Sequence, residues 1–300
     1  MRPDAFAFVM ATGIVSIAAA DHGMSALSGV FALTAVTGMP VLMYLTARHW
    51  DFDLRDHRMA LPLFTYVAAC AVLGARFAEH RWALWAAAGM AVQAWLALAP
   101  LAVGSMWRHR RQGLRDDARG GWELAAVATS GLAIVFAELD VVFWAVIFWA
   151  LGIGVYLVMT ALIAGRVDLA QPDSWILMGG AAIATLAGDH LHHLLLPGPF
   201  ADAVRVVTLV TWVVATLWIP PLAYATVRRF AGVGWPTVFP LGMYASATYA
   251  MAVETGWHWF VEVSLVFLWI AVAVWVSVAA LSLQRFRRSR AAGTPSDRAT

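Results

Sequence analysis

Apolar residues run through this chain in stretches of about twenty, interrupted by short polar clusters. About twenty is the number a helix needs to cross a hydrocarbon layer. The pattern predicts ten such spans, at roughly 4–20, 25–46, 60–79, 82–104, 122–139, 141–164, 174–195, 202–227, 235–254 and 258–283. Several links are only a few residues long: DHG at 21–23, EHR at 79–81, LD at 139–140 and LPGP at 196–199. Links that short make antiparallel neighbours. The expectation is an all-α integral membrane protein of ten transmembrane helices paired as five hairpins. Residues 1–284 form its single transmembrane domain, and 285–300 form a polar, disordered cytoplasmic tail. The first span has some marks of a signal peptide, with Arg2 before an apolar run and AAA before Asp21. Pro3, Asp4 and the immediate start of a second apolar stretch favour a retained helix instead.

Composition agrees with the pattern. Apolar residues make up 62% of the chain and charged residues 13%, against about half and a quarter in soluble domains. All 20 basic residues are arginine, and only Arg76, Arg81 and Arg205 fall outside one set of ends and loops. The positive-inside rule then puts both termini in the cytoplasm, with the body in a bacterial-type cytoplasmic membrane. The arginine runs are topology determinants that face lipid headgroups, and no nucleic-acid partner is expected. Trp82, Trp122, Trp175, Trp235 and Trp257 sit at span ends as expected interface anchors. A single cysteine, Cys70, excludes a disulfide within the chain and a thiolate metal cluster.

Odd and even spans differ in kind. Small and hydroxyl residues gather on the odd ones: Thr12, Gly13 and Ser16; Thr65 and Ala69; Thr129, Ser130 and Gly131; Gly180 and Thr185; Gly242 and Ser246. Such residues either let helices pack closely or line a narrow path for water and ions. If the odd spans form an inner ring, these twelve positions are its candidate pore lining.

Charged groups inside spans are costly and face a cavity or a partner. Arg76 either attracts anions at one mouth or pairs with Glu79, Asp189 or Glu254. Asp189 is an ion-pair partner or a proton site. The run DHLHH, with His190 and His193, invites a second reading: a haem- or quinone-binding oxidoreductase using these histidines with His258. The run ends a span where polar residues meet water, so no metal and no cofactor is expected. No phosphate-cradling glycine loop and no nucleophile–base set occurs. The chain is therefore expected to be a channel or secondary transporter and not an enzyme.

Five stretches on the odd spans, FAFVMATGIVSIA, FTYVAACAVLGARF, GWELAAVATSGLAIV, SWILMGGAAIATLAG and WPTVFPLGMYASAT, occur in this order. Together they resemble the tellurite-resistance/dicarboxylate transporter family, which includes fungal malate transporters and plant slow anion channels. The resemblance covers nearly the whole membrane region. It implies five hairpins around a central pore lined by the odd helices, a homotrimer, and transport of malate, other dicarboxylates or small inorganic anions. One bacterial branch of the family is linked to tellurite resistance. It also implies that Phe239, between Pro236 and Pro240, is a pore gate whose ring excludes water from a narrow tube. Counted from Trp235, Phe239 lies only about 6 Å into its span, shallow for a central plug.

Overall fold

The computed structural model describes residues 4–49, 56–109, 119–229 and 232–292. Among these it is helical with no strand: α1 (Ala7–Asp21), α2 (Ser25–Arg48), α3 (His57–Ala60), α4 (Phe64–Arg76), α5 (Arg81–His109), α6 (Leu124–Glu138), α7 (Val142–Ile163), α8 (Ile176–Leu194), α9 (Pro199–Arg228), α10 (Trp235–Thr255) and α11 (Trp259–Ala292). Seven helical stretches of the described residues are long and apolar enough to cross a membrane; α1 is apolar but shorter. The expected tight links are present, two of them using left-handed backbone at Gly23 (φ 69°) and Asp140 (φ 62°). The largest boundary difference is at the last helix. α11 continues to Ala292, past the end drawn at 284, because QRFRRSRAA holds good helix formers and no breaker before Gly293. Residues 293–300 of the expected tail lie outside the described residues.

The helices form two concentric layers. α1 packs on α4, α4 on α6, α6 on α8, α8 on α10, and α10 returns to α1. That closes an inner ring of five. Each of α2, α5, α7, α9 and α11 packs on its own hairpin partner and also on the inner helix of the following hairpin. Burial separates the layers. In the stretch Gly120–Glu138, which contains α6, 89% of the most apolar window is buried, against 17% for α9 and 33% for α7.

One kind of bond recurs between the layers. An outer tryptophan donates its indole N–H into the next inner helix: Trp95 to Thr129 Oγ1 (2.9 Å), Trp149 to the Ala184 carbonyl (2.9 Å), Trp212 to Thr248 Oγ1 (3.1 Å) and Trp275 to Thr12 Oγ1 (2.9 Å). Between α2 and α4 the equivalent contact is Arg76 donating to Ser28 Oγ (2.9 Å). Thr12 and Thr129 also donate to the carbonyls of Phe8 and Ala125, four residues back in their own helices. Each hydroxyl is thus satisfied as donor and acceptor without water. Close approach within the ring depends on glycine. A Cβ on Gly13 would stand 2.6 Å from Val72 Cγ1 of α4, and one on Gly242 would stand 3.0 Å from Ile14 Cγ2 of α1.

Two tryptophans expected as interface anchors are instead buried at the start of inner helices. Trp122 and Trp175 are covered by protein, and Trp175 donates to Thr226 Oγ1 (3.1 Å). Trp82 and Trp257 are exposed, as an anchor requires.

A double-mutant cycle on Trp275→Phe and Thr12→Val, read from unfolding in detergent, should give a coupling of about 0.6 kcal/mol and no more than about 2 kcal/mol. Zero coupling would mean that this bond does not help hold α11 on α1.

Candidate functional site

The five inner helices enclose a cavity of about 370 Å³ in the half of the ring toward their carboxyl ends. All five contribute to its wall. Its deepest residues are apolar: Ile14 of α1, Val72 of α4, Gly131 of α6, Ile183 of α8 and Met243 of α10. Toward the mouth the wall becomes polar, with Asp21, Arg76, Asp189, His190, His193 and Ser246.

Arg76 is the last residue of α4. Its Nε donates to Ser16 Oγ (2.8 Å) and a terminal nitrogen donates to Ser28 Oγ (2.9 Å). Among the described residues no carboxylate lies within ion-pair distance of it, so the expected pairing with Glu79, Asp189 or Glu254 is not what holds it. Two neutral hydroxyls fix the guanidinium and leave its charge directed at the cavity. Asp189 sits opposite on α8, nine-tenths buried, and its Oδ1 has no hydrogen-bond partner.

The rim carries pairs between histidines and acids. His190 Nδ1 meets Glu138 Oε1 at 2.8 Å, and Arg205 Nε meets Glu254 Oε1 at 2.6 Å. His192 Nδ1 stands 3.5 Å from Glu254 Oε2, and His193 Nε2 stands 3.6 Å from Asp189 Oδ1. His258 is exposed in the turn after α10 and joins no cluster with His190 and His193 among the described residues.

Of the twelve expected lining residues, Gly131 and Ser246 face this cavity. The others are placed elsewhere in the ring. Thr12 and Thr129 accept the outer tryptophans described above, and Ser16 holds Arg76. Thr65 donates to the Pro62 carbonyl at the start of α4 (2.7 Å). Thr185 shares a hydrogen bond with Thr211 of α9 (2.9 Å). Ser130 abuts Gly152 of α7, and Gly180 abuts Tyr156 of α7. Gly13 and Gly242 sit at the contacts of α1 with α4 and α10, and Ala69 is buried in the core. Phe239 is wholly buried in the second turn of α10, one turn before Met243. α10 runs unbroken through Pro236 and Pro240. Pro236 lies in the first turn, where the missing donor has no partner to lose, and Pro240 is seated against Gly179 of α8.

Sequence reasoning missed Asp21 and Glu138 as site residues. A signal was present, since each is the last residue of an inner helix. Carboxylates are disfavoured at that end of the helix dipole, so acids there point to a local reason for being kept.

The chain is similar in sequence to known membrane proteins. Two uncharacterized membrane proteins of Mycobacterium tuberculosis, from strains CDC 1551 / Oshkosh and H37Rv, are each 30% identical to the chain over 117 residues. That match covers 35% of this chain and 59% of each relative's length. Residues 1–283 match the family described as SLAC1, voltage-dependent anion channel. With nearly its whole length in that match, the chain belongs to this family of membrane anion transporters.

Proposed function

We propose that the chain conducts a small anion along the axis of the five-helix ring, with the cavity as its vestibule. In this reading ten helices cross the membrane as five hairpins, the arginine-rich ends and both termini are cytoplasmic, and the cavity faces outward. Three such chains form the homotrimer that the family resemblance implies. The observation that carries the proposal is Arg76: a cation held by two serine hydroxyls, without a carboxylate in ion-pair range among the described residues, in a cavity walled by all five inner helices. A guanidinium placed that way attracts an anion and lets it leave, as conduction requires.

The barrier lies below the cavity. Ile14, Val72, Ile183 and Met243 line its inner end, and Phe239 follows one helical turn before Met243, about 6 Å along the helix. An ion entering that apolar layer must shed water for which the wall offers no substitute. In this proposal Phe239 and the layer above it form the gate, which opens when they part. Among the described residues Arg76 is the guanidinium that lines the vestibule, while Asp21 and Asp189 share its wall. A second carboxylate on the substrate would meet those acids. A monovalent inorganic anion therefore suits the site better than malate or another dicarboxylate.

In planar bilayers, Phe239→Ala should raise anion conductance at least about tenfold, equivalent to lowering the barrier by about 1.4 kcal/mol. If conductance stays flat across chloride, nitrate and malate, Phe239 is not the gate. The wild type and Phe239→Ala should both pass chloride and nitrate more readily than malate; the opposite order would return the dicarboxylate reading.

Arg76→Gln should cut conductance about fourfold at low salt, the value of about 0.8 kcal/mol for a unit charge about 5 Å away in water. The loss should shrink as salt screens the charge. A variant that conducts like the wild type at low salt would remove Arg76 from the anion's path.

A further inference from the structure

We propose that His192, His193 and Glu254 form a binding site for a divalent transition-metal ion of the zinc type, bridging α8 and α10 at the mouth of the cavity. Their ligand atoms all lie within 4.8 Å of one another. Two distances, one inside the cluster and one from His193 to the neighbouring Asp189, are long for hydrogen bonds and fit the spacing of metal ligands. His192 Nδ1 to Glu254 Oε2 is 3.5 Å, and His193 Nε2 to Asp189 Oδ1 is 3.6 Å. Both are longer than an N–H···O bond, which spans about 2.7–3.2 Å. Both are close to the spacing of about 3.3 Å between ligand atoms of a tetrahedral ion with bonds of about 2.0–2.1 Å.

A second observation is independent of the spacing. His192 Nδ1 and Asp189 Oδ1 are buried atoms with no hydrogen-bond partner in the protein. Buried polar atoms without partners are rare and call for a cause. A cation shared by His192, His193 and Glu254 supplies one for His192 Nδ1. Glu254 is already oriented as a ligand, since Arg205 holds Oε1 at 2.6 Å and so turns Oε2 toward His192. A fixed partner of this kind behind a ligand is usual at metal sites. Two imidazoles with carboxylate oxygen suit Zn²⁺ and its neighbours, whereas Mg²⁺ and Ca²⁺ prefer all-oxygen shells.

His193 and Asp189 also line the cavity. A bound ion would tie the ends of two inner helices together and place positive charge beside the path that Arg76 faces. The site itself does not depend on the conduction proposal, because binding is measured without any flux.

The test is calorimetric titration of Zn²⁺ into the full chain, purified in detergent and stripped with chelator. The wild type should take up one Zn²⁺ per chain. The His192→Asn/His193→Asn double variant should bind at least about tenfold more weakly, and His258→Asn should bind like the wild type. No uptake by the wild type, or equal affinity in the double variant, would overturn the proposal. Should the double variant fail to fold, the unaltered chain gives a second measure. Zn²⁺ should protect His192 and His193 from diethyl pyrocarbonate while His80 and His258 react as before; equal reactivity with and without Zn²⁺ would overturn it as well.

Discussion

Polar groups in this bundle must be satisfied by protein, because hydrocarbon offers them no water. The inner ring is rich in hydroxyls and in carbonyls that approach its outer neighbours. The outer layer answers with indole N–H groups at Trp95, Trp149, Trp212 and Trp275. Because each donor reaches the inner helix of the following hairpin, the bonds run around the bundle in one sense. These four bonds link the five hairpins in a row, and Arg76 of α4 donating to Ser28 of α2 closes the cylinder. Each bond is worth little by itself, but the set fixes how each inner helix is rotated, and that rotation decides which side chains see the axis.

The rotation has a consequence for the cavity. With Thr12, Thr129 and Thr185 turned to the outer layer, the axis is left to aliphatic side chains at mid-depth and to charged groups near one end. In the proposed reading, this polar vestibule above an apolar layer admits an ion and then stops it. Arg76 differs from the other charges there. Glu138, Glu254 and Arg205 engage partners across the rim, whereas Arg76 is held by neutral serines. The acids at the rim sit at helix ends where the dipole opposes them, and histidine or arginine partners offset that opposition.

The helical segmentation was legible in the sequence, because lipid imposes a period and a length on every segment that crosses it. Hairpin links such as DHG and LD are short enough to force antiparallel pairs. The small residues of the odd spans left close packing and a lined path both open, and the inner ring came from the family resemblance. Their use was not legible. Gly13 allows α1 to approach α4, while Gly131 both packs on α4 and lines the cavity, and nothing in the local pattern separates the two. Trp122 and Trp175 misled for the same reason, since a tryptophan at a span end looks alike whether lipid or protein covers it.

The sequence by itself determined that the chain is a membrane protein, roughly where its helices begin and end, and which of them are slender. Those properties follow from local composition and from the thickness of the bilayer. Only the tertiary structure decided where each polar side chain points. The hydroxyls went to the outer tryptophans, Arg76 went to two serines, and residues as distant in the chain as His192 and Glu254 met at one rim. Such meetings depend on how whole helices are rotated and staggered, which is set by packing across the ring and leaves no mark in any single stretch of residues.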